Sequence, residues 1–332
     1  MITAANGSPR LVGKHAVINN LNEDKVVPGG FMILASSKEP YFLNSCMGAP
    51  WYKTFLKTGV AGGNGAIGNL NKNTLQEYEF YTPSNKLERD EIASYFTTLD
   101  AQISASTFRL ASLRQTKAAS LQEMFPQEGE TMPKVRFKDF EGEWHKVKLS
   151  EIAKFSRGQG YSKSDLTAQG HPIILYGRMY TNFQFAIWEV DTYATKRENS
   201  ILSEGNEVIM PASGETPEDI ACASAVLAKE VILGGDLNII RFNLTNYCTP
   251  FIALSITYGK THYELGKCSQ GKSVVHLHNR EISKASIMLP SYKEQQAISS
   301  FFTSLGRQIS LHTKRLEKLK QIKAACLEKM FV

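Results

Sequence analysis

The sequence predicts an α+β protein: two mixed domains, the first incomplete, separated by two long antiparallel coiled-coil helices and related by an internal pseudo-twofold repeat. Three observations predict it. Residues Glu88–Phe125 align with Glu294–Phe331 at a constant offset of 206, without a gap, and twenty of the 38 aligned positions are identical. In both copies apolar residues recur in alternating steps of four and three. The first seam runs Ile92, Phe96, Leu99, Ile103, Ser106, Leu110, Leu113, Lys117, Ser120, Met124, and the second Ile298, Phe302, Leu305, Ile309, His312, Leu316, Leu319, Lys323, Cys326, Met330. That period of 3.5 keeps one seam facing a partner helix. Upstream of each copy, short β-branched runs alternate with Gly- and Ser-containing turns rather than with regular helices, which reads as a mixed domain.

The elements follow in order. Residues 1–84 form the shortened first domain, 85–126 the first long helix, 127–132 a linker, 133–290 the second domain and 291–332 the second long helix. Asn85 and Ser291 suit the N-cap, and Ser291 with Glu294 three residues on predicts a capping box. A helix of about 40 residues rises about 60 Å. Its seam residues Leu99, Ile103, Leu110 and Leu113 should pack against Leu305, Ile309, Leu316 and Leu319. Pro126–Thr131 is polar and stops the first helix. In the second domain a short helix is expected at Leu149–Phe155 and another at Pro250–Tyr258. Strands are expected at Pro172–Tyr176, Glu207–Met210, Val226–Leu233, Leu237–Phe242, Ser273–Leu277 and Ala285–Leu289.

The repeat continues faintly upstream of the helices. Gly65 matches Gly271, Pro83 matches Pro290, Gly29-Gly30 matches Gly234-Gly235, and the Ala5–Pro9 turn resembles Ala212–Pro217. The offset places Met1 opposite Glu207 or Val208. The first domain is therefore expected to lack a counterpart of the 75 residues Pro133–Glu207. Its surviving strands should leave an apolar face uncovered around Phe31, Ile33, Leu34, Tyr41 and Phe42, making it the less stable of the two.

Composition narrows the function. A 42% hydrophobic fraction is that of a globular chain, and no apolar run approaches the length of a membrane span. The first ten residues lack a signal-peptide pattern. Five cysteines without a C-x-x-C pair read as reduced thiols of a cytoplasmic protein. A net charge of +6 permits an anionic partner.

Catalytic patterns are sparse. Gly266 to Ser273 fits G-x-x-x-x-G-K-[ST], but a phosphate loop needs a strand before it and a helix after it, whereas Val274-Val275-His276-Leu277 is strand-like. The alternatives to a DNA-binding role are thus a P-loop ATP-dependent enzyme using 266–273, or a helical adaptor without DNA recognition. The histidines have no metal spacing, His276-x-His278 lacking a third ligand, and Glu23-Asp24-Lys25 lacks the acidic partner of a nuclease centre. No catalytic residue and no metal ligand is assigned. Nucleic-acid signals are stronger. Arg157, Gln159, Tyr161 and Lys163, then Tyr176, Arg178 and Tyr180, sit on turns and suit base edges and phosphates. The turn carrying Lys267, Gln270, Lys272 and Ser273 adds positive charge and polar groups.

Pro290-Ser-Tyr-Lys-Glu-Gln-Gln-Ala-Ile298, the helix ending Leu327-Glu-Lys-Met-Phe331, their earlier counterparts from Pro83 to Phe125, and Pro133-Lys-Val-Arg-Phe-Lys-Asp-Phe-Glu-Gly-Glu-Trp144 resemble the specificity subunit of type I restriction-modification systems. The stretches Leu175–Tyr180, Ser213–Thr216 and Gly234–Leu237 are similar to that family as well. The resemblance implies a non-catalytic subunit that reads a bipartite double-stranded DNA target, docks two modification (methyltransferase) subunits and is joined by a restriction subunit. It also implies that S-adenosylmethionine, ATP and magnesium belong to those partners and not to this chain.

Overall fold

In the computed structural model, which describes residues 1–19, 28–61, 68–243, 246–271 and 274–331, the chain divides into two units. One comprises residues 1–112 and 310–332, the other 113–309, so each long helix contributes to both.

The first unit begins with β1 (Ile2–Thr3) and β2 (Ala5–Asn6), followed by β3 (Met32–Ile33), α1 (Pro40–Cys46), α2 (Pro50–Gly59), β4 (Val60–Ala61), β5 (Gly68–Leu70), α3 (Lys72–Gln76) and the long helix α4 (Lys86–Glu123). β1 pairs with β3, and β5 lies between β2 and β4. Tyr41 and Phe42, expected on an uncovered face of strands, lie instead on the helix α1. Pro40 and Pro50 occupy the first turns of their helices, where a missing N–H costs nothing. Phe42, expected to be uncovered, is buried with Phe96 and Phe331. Phe31, Leu34 and Tyr41 are exposed, Phe31 at 66%.

The second unit follows with β6 (His145–Lys148), α5 (Leu149–Ile152), β7 (Ala153–Arg157), β8 (Leu166–Thr167), β9 (His171–Ile174), α6 (Arg178–Thr181), β10 (Ala186–Ile187), β11 (Tyr193–Ala194), β12 (Glu207–Pro211) and β13 (Ser213–Gly214). It continues with α7 (Pro217–Ile220), β14 (Ser224–Val226), β15 (Ile232–Leu233), β16 (Leu237–Phe242), α8 (Thr249–Tyr258), α9 (Lys260–Cys268), β17 (Val275–His276), α10 (Asn279–Lys284), β18 (Ser286–Leu289) and the second long helix α11 (Tyr292–Met330). A five-stranded sheet, β10-β14-β12-β16-β7, carries the core, with a four-stranded sheet β15-β9-β11-β8 beside it. Every residue of β12 is buried, and α8 buries Phe251, Ile252, Leu254 and Ile256 against the sheet, which explains its uniformly apolar sequence.

Two expected elements change. The helix from Leu149 stops at Ile152, because Ala153 is extended and opens β7. The run Val226–Leu233 breaks into β14 and β15 at a turn where Glu230 adopts a positive φ of 59°.

The strand pairings carry the repeat further than the sequence does. Ile2 pairs with Ile33 as Ile209 pairs with Ile239, and β2 pairs with β5 as β13 pairs with β17. In the second unit β16 is also paired on its other side by β7; in the first, among the described residues, β3 pairs with β1 alone.

The seam is visible in burial. Leu99, Leu110, Leu113, Leu305 and Leu316 are buried, and Ile103, Ile309 and Leu319 are half-buried. Met330 departs from the expected seam: it is 41% exposed, and Leu327 and Phe331 are buried in its place. Within the first unit, Lys323 of α11 contacts Asp100 at 2.5 Å while Phe331 packs on Phe96, so this end of α11 runs antiparallel to α4.

The helix starts are also tied down differently from expectation. Asn85 caps α4 by accepting from Leu87 N at 3.0 Å. Ser291 accepts from Glu294 N at 3.4 Å, but the Glu294 carboxylate does not complete a capping box. It is fully buried and takes a bidentate pair from Arg136 at 2.6 and 2.7 Å. Arg136 also donates to the carbonyls of Glu141 and Gly142, so the stretch leading to Trp144 is locked onto the start of α11. A buried charge with two charge-assisted partners of this geometry is satisfied; alone it would be costly.

Candidate nucleic-acid interface

The turn after β7 is fixed by contact between two glycine pairs. Gly158 N donates to Leu237 O at 2.9 Å and Gly235 N to Gly160 O at 2.7 Å. A Cβ on Gly158 would lie 1.8 Å from Gly234 O, so only glycine allows this approach. Tyr161 then adopts a positive φ of 55° and buries its ring. Its hydroxyl donates to Thr195 O at 3.0 Å, contacts Ser200 Oγ at 2.6 Å and accepts from Arg197 N at 2.9 Å. The Arg197 guanidinium lies 4.3 Å from the centre of the Tyr161 ring and pairs with Asp165. Asp165 caps the turn at Ser162, and the Ser162 amide together with Arg197 holds its carboxyl below the ordinary range.

This framework presents Arg157, Gln159 and Lys163 as exposed side chains and adds Lys196 and Arg197, which sequence reading missed. The signal was available, since Lys196-Arg197 is a basic pair directly after a short strand, but only the fold shows that it meets the Arg157–Lys163 turn. Asn279 adds a further link by donating to Ser156 O at 2.8 Å, next to the exposed Arg280. Tyr161 acts here as the platform of the turn, its hydroxyl engaged on three sides.

The other predicted residues lie in different surroundings. Arg178 is largely buried, binding Asp191 at 2.5 Å and Gln184 at 3.3 Å. Tyr176 and Tyr180 stand edge to face at 6.4 Å, and Tyr180 donates to Ser213 O at 2.8 Å. Both line a groove that Glu215, Glu218 and Asp219 line as well. Lys267 is ion-paired with Glu128 at 2.7 Å. Gln270 is exposed and its backbone pairs with His276; Lys272 and Ser273, like Glu23-Asp24-Lys25 and Gly65, lie outside the described residues.

The P-loop reading fails on order of elements. Gly266 and Lys267 belong to α9, a helix leading into the turn, and β17 follows it. A phosphate cradle requires the reverse, with a helix N-terminus facing the anion.

Among the described residues no helix is long and apolar enough to cross a membrane, and no cluster of metal-ligating side chains occurs. Residues 141–321 match the family described as the type I restriction modification DNA specificity domain. No curated protein sequence matches the chain. Among solved structures, the type I restriction-modification S subunit from M. genitalium is similar at a TM-score of 0.60 and 14% identity, over 100% of this chain and 82% of that one. The HsdS subunit from Thermoanaerobacter tengcongensis is similar at 0.49 and 15%, over 88% and 70%. A chain from a study of complex assembly and conformational transition of the type I R-M system is similar at 0.50 and 15%, over 87% and 70%. The M. genitalium structure supports the same fold along the whole chain, and the matched domain spans more than half of it; the chain belongs to the type I restriction-modification DNA specificity family.

Proposed function

We propose that the second unit reads one half of a bipartite DNA target through the Arg157–Lys163 turn and the adjoining Lys196 and Arg197, and so directs adenine methylation and restriction to that site. The supporting observation is the glycine-locked turn, which holds exposed cationic and amide side chains on a rigid base within the domain that matches the specificity family. Arg and Gln can make paired hydrogen bonds to guanine and adenine edges, and Lys163 and Lys196 suit phosphates. The long helices act as the spacer for the two half-sites and as the docking surface for two methyltransferase subunits, with a restriction subunit joining that assembly. S-adenosylmethionine, ATP and magnesium are bound by those partners.

The reading is tested by DNA affinity of the chain assembled with its methyltransferase partner. Lys163→Ala should weaken binding to all duplexes alike and reduce the salt slope by about 1. Arg157→Ala should instead cost about 1–3 kcal/mol at one base position. If both variants bind as the wild type does, the turn is not the interface.

A further inference from the structure

The second unit holds a groove of about 1080 Å³ next to the last turns of α4. Tyr176, Tyr180, Tyr258 and Tyr263 line it with rings, Glu215, Glu218 and Asp219 with charge, and among the described residues no lysine or arginine lines it. Asp219 is engaged with Thr216 at the start of α7. Among the described residues Glu215 and Glu218 have no ion-pair partner.

The first unit contains the counterpart of this groove. His262 Nδ1 of α9 lies 3.2 Å from Ala221 O, as the Tyr52 hydroxyl of α2 donates to Gly13 O at 2.9 Å. That correspondence sets Lys53 where Tyr263 stands, and the helix repeat sets Leu327 where Leu121 stands. The counterpart, about 530 Å³, is lined by Arg10, Lys14, Lys53 and Lys323, with Asp100 as the one carboxylate among the described residues. One position in the fold is therefore aromatic and acidic in one unit and basic in the other.

We propose that the groove of the second unit docks a cationic protein segment, its Lys or Arg side chains laid across the tyrosine rings toward Glu215 and Glu218. The inference rests on the functional reading above and names the bearer of that segment as a methyltransferase subunit. Complementary charge steers and orients such a contact, tyrosine faces attract guanidinium and ammonium groups, and the aliphatic stems cover the rings. Duplex DNA is the poorer occupant, since its phosphates would face three carboxylates without a cation among the described lining residues. The basic counterpart cannot accept the same segment, so the two units offer subunits different docking chemistry.

The test measures the affinity of the full chain for its methyltransferase subunit and, separately, for duplex DNA. Glu215→Lys with Glu218→Lys, both at exposed positions, should weaken subunit binding about tenfold or more while DNA affinity holds or rises. Glu215→Gln with Glu218→Gln should move subunit binding the same way by less. A photocrosslinker placed at Tyr263 should attach to a Lys- or Arg-bearing segment of the subunit. Unchanged subunit affinity in the charge-reversed chain overturns the proposal, as does a crosslink to DNA or weaker DNA binding. If the wild-type chain binds no methyltransferase subunit, the functional reading itself falls and the groove with it. If the wild type binds and the variants bind equally well, only the groove falls.

Discussion

Phe331 lies 6.0 Å from Phe96, and Phe125 lies 6.0 Å from Phe302, at interplanar angles of 32° and 30°. By the repeat these are the same pair made twice, once in each unit. A third ring completes each site, Phe42 against Phe331 and Phe251 against Phe125. Each long helix thus leads to a phenylalanine that seals the first turns of the other helix. Truncating a buried Phe to Ala costs about 3–5 kcal/mol. Phe331→Ala is expected to loosen the first unit selectively. Hydrogen exchange should rise across residues 42–46 and 92–99 and stay unchanged across 249–256, with Phe125→Ala giving the opposite pattern.

The seam between the helices makes a second prediction. Leu110 and Leu316 are 5% and 8% exposed, and large-to-Ala changes in such positions cost about 2–5 kcal/mol each. Leu110→Ala combined with Leu316→Ala should lower the melting temperature markedly. Met330→Ala should not, because that side chain faces solvent. A double variant that melts like the wild type would mean that these positions do not form a packed seam.

Acid should weaken the first unit through Glu39. Its carboxylate takes a bidentate pair from Arg89 at 2.8 and 3.0 Å, and Arg89 also holds the carbonyls of Pro83 and Ser84. That hydrogen bonding depresses the Glu39 pKa below its ordinary 4.5. A carboxylate depressed on folding stabilises the protein above its unfolded pKa and loses that contribution as the pH falls through the folded value. Wild type should therefore exceed Glu39→Gln in melting temperature at neutral pH, the gap closing only below pH 4.5. A gap that widens with acid would contradict the pairing.

Gly158 offers a backbone test. Gly158→Ala drives a Cβ into Gly234 O, and relief of such overpacking costs about 1–3 kcal/mol. The Arg157–Lys163 turn should shift, so DNA affinity and melting temperature should fall together. Gly177→Ala, with nothing within 4 Å of its added Cβ, should change neither.

Much of this was legible in the sequence because a repeat with helical periodicity exposes its seam directly: Leu99, Leu110, Leu113, Leu305 and Leu316 could be named before any coordinates. β12 and β16 were also legible, being apolar runs of strand length bounded by turns. The rest depended on distant partners. Glu294 looked like half of a capping box, but Arg136, 158 residues away, binds it. Arg178 looked like an exposed base-reading residue, yet Asp191 and Gln184 draw it inward. Lys196 and Arg197 join the candidate interface only because Tyr161 folds beneath Arg197. Helices α1 and α2 were missed because they are short and begin at prolines, which from the sequence alone read as turns.

The account turns on the second unit reading bases, and mapping of methylated adenines measures that directly. DNA from cells expressing the chain with its methyltransferase subunit should carry methylation at one bipartite motif. In the same cells Arg157→Ala should relax one position in one half of that motif, at a cost of about 1–3 kcal/mol, and leave the other half intact. An unaltered motif and rate across Arg157→Ala, Gln159→Ala and Arg197→Ala would contradict it.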